Sequence, residues 1–266
     1  MTSPRAAAAL LLLFAGSAGA HDTWLLPETF SVAPGAELVF ELTSGGEFPA
    51  LDTAIEPERV ARAAYRVAGQ VADIVALAPA EHSLRGSASL PEAGVATLWL
   101  ELKPRTVELT PQEVDHYLAE IGASDLVKQR WVASGAKKWR ELYTKHAKTF
   151  VRVGEPPVSD QSWLRPVGMY LEIVPQSDPT KLAAGSELSV QVLRDGSTVA
   201  GFSVGAVREG GGAAQMQKTD PGGTATFRLD APGRWLIRGT ALRAVPGPDV
   251  EWESHFTTLS VAVSGG

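Results

Sequence analysis

The sequence predicts a mainly β chain: two β-sandwich domains, with a helical insertion in the first. Three observations carry that fold class. Turn formers are dense, with 26 glycines and 18 prolines among 266 residues. Between them lie short apolar runs that alternate with polar residues, the period of a half-buried strand. About seven such runs fill roughly the last hundred residues, which is the pattern of an immunoglobulin-like sandwich.

Taken in order, Trp24-Leu25-Leu26-Pro27 and Thr29-Phe30-Ser31-Val32 read as an opening strand stopped by Pro34-Gly35. Leu38, Phe40 and Leu42 alternate with charged and polar neighbours, and Gly45-Gly46 ends that run. Short strand-like runs hold Val60, Tyr65, Val67, Val71, Ile74 and Leu77, and Val95 to Leu102 is a further sheet segment. Thr110-Pro111-Gln112-Glu113 then forms a capping box with proline in the first turn, and Val114, Tyr117, Leu118 and Ile121 share one helical face. Gly122 suits the left-handed stop. A second helical region is expected over roughly 125–147: Leu126, Val127 and Trp131, an interruption at Gly135, then Trp139, Leu142, Tyr143 and His146 at spacings of three and four. The helical insertion so read covers about 111–147. Thr149 to Val153 returns to strand, and a turn-rich stretch near 156–166 marks the boundary between an N-terminal domain (21–155) and a C-terminal one (166–264). In the second half, Leu188/Val190/Val192, Ala225/Phe227/Leu229, Trp235/Ile237 and Leu259/Val261/Val263 supply strand faces, with Asp195-Gly196 as a hairpin turn.

The first twenty residues read as a secretory signal. Arg5 precedes an apolar stretch from Ala6 to Ala15, and Ala18-Gly19-Ala20 offers small residues for cleavage. The apolar run is too short to span a bilayer. The expected address is therefore the periplasm or the exterior. The formal net charge of −6 lacks the basic footprint of a nucleic-acid binder. With no cysteine, the exported protein would be held by packing rather than disulfides.

Cleavage after Ala20 would leave His21 at the amino terminus, where amine and imidazole on one residue form a chelate for Cu(II) or Ni(II). Asp22 adds a carboxylate beside it. His255, at the entrance to the last strand, is the expected second imidazole, with Glu253 on the same strand face and His146 in reserve. His116 is a weaker candidate, since its neighbour Asp115 diverges from it on a helix, and His82 reads as a surface residue. His-Glu-x-x-His, Gly-x-Ser-x-Gly, phosphate loop and cysteine nucleophile are all missing, so no catalytic residue is assigned. Trp24, Trp99, Trp163, Trp235 and Trp252 would line a glycan surface if exposed, although core packing is the commoner use of tryptophan.

Several stretches carry a family resemblance: His21-Asp22-Thr23-Trp24-Leu25-Leu26-Pro27, Gly46-Glu47-Phe48-Pro49, Tyr143 to Thr149, Leu171 to Pro175, Thr219 to Gly223, Gly233 to Arg238 and Trp252 to Leu259. In this order they resemble a bacterial exported family of unknown function associated with nickel uptake, as a periplasmic component of cobalt/nickel transport. The resemblance implies a metal-related periplasmic role, a membrane uptake complex as partner, and an immunoglobulin-like or transthyretin-like second domain. The family pattern has a histidine shortly after the Trp-Leu-Ile-Arg strand, where this chain has Thr240-Ala241-Leu242-Arg243.

The sequence thus points to a non-enzymatic periplasmic protein that binds or delivers a divalent transition metal: nickel, cobalt or copper. One alternative is a structural or ligand-binding β-sandwich module, and a second is a copper-dependent oxidative enzyme built on His21.

Overall fold

The computed structural model describes residues 21–247 and 249–265, and it is mainly β. In chain order the strands are β1 (Asp22–Pro27), β2 (Ser31–Val32), β3 (Glu37–Gly45), β4 (Thr53–Ala54), β5 (Val60–Val67), β6 (Gln70–Asp73), β7 (Leu77–Pro79), β8 (Leu84–Ser89), β9 (Gly94–Leu102) and β10 (Arg105–Leu109). Helices α1 (Pro111–Glu120) and α2 (Asp125–Ser134) follow. Then come β11 (Trp139–Val153), β12 (Leu171–Pro175), β13 (Ser186–Arg194), β14 (Ser197–Thr198), β15 (Ser203–Arg208), β16 (Gln215–Lys218), β17 (Thr224–Leu229), β18 (Gly233–Ala244) and β19 (Trp252–Val263). The expected signal, including Ala18-Gly19-Ala20, lies outside the described residues. No described helix is long and apolar enough to cross a membrane.

The molecule is built on one central sheet, ordered β16-β15-β18-β19-β11-β9-β5-β6, that runs through both halves of the chain. Its middle joint is a parallel pairing of β11 with β19, from Glu141↔Trp252 to Thr149↔Ser260. A smaller sheet holding β1, β3, β4, β7 and β8 covers one face, and a sheet of β12, β13, β14 and β17 covers the other. Alternate residues of β11 feed the two cores. Ala147, Val151 and Val153 pack with Leu38, Phe40 and Leu42, whereas Phe150 packs with Ile173, Val190 and Phe227. The expected boundary at 156–166 coincides with an irregular segment, but the two sandwiches on either side of it share the central sheet.

Local chemistry explains the helices and one tight turn. Thr110 and Glu113 make the reciprocal capping box, and Ser124 caps α2. Gly135 takes a left-handed φ of 58° and terminates α2 at Ser134. Asp195 and Gly196 both hold positive φ in the β13–β14 hairpin, as a type I′ turn requires.

The helical region expected over 125–147 is helix up to the break at Gly135 and is corrected beyond it: residues 139–153 are strand, and the insertion covers 111–134. Strand β11 is sandwiched between two layers, and Ala147 to Val151 are all buried. A strand covered on both faces loses the polar/apolar alternation that would identify it. The spacing of Trp139, Leu142, Tyr143 and His146 therefore imitated a helix. Of the two uses weighed for the tryptophans, the structure shows core packing and not a glycan surface. Trp24, Trp99, Trp235 and Trp252 are buried, and Trp163 packs partly buried against the second core.

One buried ion pair ties the two halves. Lys148 of β11 and Glu172 of β12 meet at 2.7 Å with both side chains almost completely enclosed. Glu172 also accepts from the backbone N–H groups of Val167 and Gly168. Burial lowers the Lys148 ammonium below its ordinary range, and Glu172 opposes that shift. Removing the lysine would leave an uncompensated carboxylate inside, a loss of about 3–5 kcal/mol for pairs of this kind. Lys148→Ala is therefore expected to lower the denaturation midpoint strongly, read by urea titration with fluorescence detection. Because the central sheet is shared, the wild-type transition should be single. Two separated transitions in the wild type would contradict a common sheet.

Candidate functional site

The parallel register of β11 and β19 places Thr144 opposite His255 and His146 opposite Thr257. The two imidazoles therefore leave the same face, two residues apart. His146 Nε2 and His255 Nδ1 are 3.2 Å apart. Ring centroids 5.5 Å apart and planes within 14° show nearly coplanar rings meeting nitrogen to nitrogen, with no stacked overlap. The outer nitrogens are occupied by carboxylates: His146 Nδ1 lies 3.2 Å from Glu101 Oε2, and His255 Nε2 lies 3.2 Å from Glu253 Oε1. Arg243 in turn donates to Glu253 at 2.7 Å. Tyr170 covers the His255 ring at 4.1 Å. His146 is buried, whereas His255 retains some exposure.

Hydrogen bookkeeping gives this row its chemistry. Ionised carboxylates accept only, so the outer nitrogens of both rings are the N–H donors. In neutral imidazoles the inner Nε2 and Nδ1 are then bare, two lone pairs directed at one another. With that tautomer on both rings, a cation, either a proton or a metal ion, between the two nitrogens would satisfy both lone pairs. Burial holds His255 below its ordinary pKa, His146 adds to that, and Glu253 opposes it. Burial pushes Glu253 upward, but Arg243 and His255 outweigh it and keep the carboxyl low. An extra proton on His255 is thus disfavoured, while Glu253 keeps its charge.

The other sequence-predicted ligands sit elsewhere. Lys145 Nζ donates to the His21 carbonyl at 2.7 Å, and Lys145 is adjacent to His146 on an extended strand, so their side chains leave opposite faces. Thr258 and Ser260 donate to the Thr23 and Leu25 carbonyls, which lays β1 along that same opposite face. His21 is therefore separated from the His146–His255 pair by the central sheet. Asp22 is buried in an ion pair with Arg238, which Glu120 shares. Burial raises the Asp22 carboxyl against the pull of Arg238. Glu253 does accompany His255, but it stands behind the ring, on the nitrogen away from His146. Among the described residues no group of three or more histidines, cysteines or carboxylates converges as a metal site. The protein contributes two facing nitrogens.

Sequence reasoning missed Glu101 and Tyr170. Glu101 is a carboxylate beside Trp99, Leu100 and Leu102 in an otherwise buried strand. A charge in such a run was the available signal. Tyr170 left none, because it precedes β12 and reaches His255 only through the fold.

A family model described as Domain of unknown function (DUF4198) matches residues 18–241, and the chain belongs to that family. The match ends before β19. No curated protein matches. Among solved structures, murine CEACAM1b is 6% identical over 92% of this chain and 100% of its own, with a TM-score of 0.22. A DUF4785 family protein from Legionella pneumophila subsp. pneumophila str. Philadelphia 1 is 12% identical over 80% of this chain, with a TM-score of 0.24. The chain spans 50% of that protein's length.

On the opposite face, burial lowers Lys145 to a pKa of about 8 from 10.5; Asp22 opposes the shift and Arg59 adds to it. Between these two values the unfolded chain holds the proton more firmly, so this lysine makes stability rise with pH. Guanidinium midpoints for the wild type should therefore gain on those of Lys145→Met between pH 7.5 and 9.5. A constant difference between the two proteins would refute the assignment.

Proposed function

We propose that this member of the DUF4198 family binds a divalent transition metal between His146 and His255, as an exported metal-binding or metal-delivering protein. The observation that carries the reading is the pair of imidazole nitrogens facing each other at 3.2 Å, each ring backed by a carboxylate on its other nitrogen. A ligating histidine typically gives its other N–H to a carboxylate, which fixes the tautomer and strengthens the donor. Here Glu101 does this for His146, and Glu253, braced by Arg243, does it for His255. Imidazole donors suit nickel, copper, cobalt and zinc. With metal–nitrogen bonds of about 2.0–2.1 Å, the inner nitrogens have the right spacing for one tetrahedrally disposed ion once the rings tilt off their common line. Water or a ligand from a partner would complete the coordination. A site with two protein donors and one partly exposed histidine can release as well as hold its ion, which fits a delivery role. Nickel, suggested by the family resemblance, and a membrane uptake complex as recipient belong to this reading.

Isothermal titration of the metal-stripped protein with Ni(II), Co(II) and Cu(II) tests it. One saturable site is expected in the wild type, with that site lost in both His146→Ala and His255→Ala. Glu101→Gln and Glu253→Gln should each weaken binding about 10–100-fold, the usual effect of removing a ligand's supporting acceptor. His21→Ala should leave this site unchanged. Retained affinity in the two histidine variants, or its loss in His21→Ala alone, would reject the reading.

A further inference from the structure

We infer that the cavity on the opposite face of the central sheet, where β1 begins, binds a small organic carboxylate. Its walls come from the start of β1, from β3 and β4, from the Pro57–Arg59 turn and from the β10–β11 pair. The volume is about 210 Å³. Three cations line it, Arg59, Arg105 and Lys145, against one carboxylate, Glu56. Among the described residues none of the three has a carboxylate within ion-pair distance. This contrasts with Arg238, Arg243 and Lys148, all of which are paired.

The donors left over are specific. The Lys145 ammonium has three N–H groups; one reaches the His21 carbonyl at 2.7 Å, and the contact with Ser44 Oγ is long at 3.4 Å. Arg59 donates from one terminal nitrogen to the Lys103 carbonyl, and its enclosed Nε has no partner. Arg105 stands exposed at the rim. Unpaired guanidinium groups beside an under-used ammonium match the planar, charge-assisted hydrogen bonding of a carboxylate. Ser44, Thr53 and the His21 ring add further hydrogen-bonding groups. The rest of the lining is apolar, from Ile55, Leu102, Ala54 and the Tyr143 ring, over which both Arg59 and Lys145 sit. An apolar wall facing a cationic one fits an organic acid better than a bare inorganic anion. The nearby Asp22 is engaged with Arg238 and so does not neutralise Lys145 directly.

Calorimetric titration of the full-length protein with succinate, at constant ionic strength, tests the inference. Saturable binding is expected in the wild type. Arg59→Gln and Arg105→Gln should each weaken it about tenfold, the scale of one charge-assisted hydrogen bond. Arg228→Gln, on the exposed face of β17, removes the same charge elsewhere and should bind as the wild type does. Arg105→Gln alters only an exposed rim residue, so its result stands even if Arg59→Gln folds poorly. Absence of saturable binding, or equal weakening in Arg228→Gln, would overturn the assignment. Inorganic phosphate binding as tightly as succinate would also overturn it, since the apolar wall would then contribute nothing.

Discussion

The parallel pairing of β11 with β19 is the contact on which the rest of this structure depends. It joins the first half of the chain to its last strand through nine consecutive residue pairs. It turns two sheet sets into a single ten-stranded layer with a core on each face. It also brings His146 to His255 across 109 residues of sequence. Without it there are two ordinary sandwiches and no imidazole pair.

Because β11 is covered on both sides, its side chains have unlike tasks on the two faces. Glu141 accepts from Tyr117, Trp139 and Ser254 beneath the helical insertion. There Trp139 stacks on Trp252 at 4.1 Å and meets Trp131 edge-on. Burial raises the Glu141 carboxyl, and the three donors pull it back. Satisfying an enclosed carboxylate this fully avoids the cost of an unpaired buried acceptor. The opposite face carries His146 and Lys148, both paired with glutamates. Polar groups inside this sheet are thus neutralised in place, and the central layer tolerates a row of buried ionisable side chains.

Much of the fold was legible from local pattern. Leu38, Phe40 and Leu42, the capping box at Thr110, and the Asp195-Gly196 turn each state their structure within a few residues. Strand β11 did not, since burial on both faces erased its alternation and left a helical spacing by coincidence. The candidate site was half legible. His255 and His146 were visible as histidines, and Glu253 as a neighbour at the period of a strand. That His146 would meet His255, while His21 lay beyond the sheet, depends on a pairing between distant strands that no local pattern encodes. Glu101 belonged to the same unreadable information: its role exists only because β9 is the neighbour of β11.

Order of synthesis gives the central joint one more consequence. When residues 139–153 emerge, the edge that will receive β19 has no partner, and about a hundred residues (154–251) must follow before one arrives. An unpaired strand edge is a template for pairing with other chains, and contacts so distant in sequence form slowly. The segment that waits carries Lys145, His146 and Lys148. Charged side chains on such an edge discourage it from joining a neighbouring molecule. Lysines of the kind that blunt an unpaired edge are thus already in place on this strand while its final neighbour is still being made.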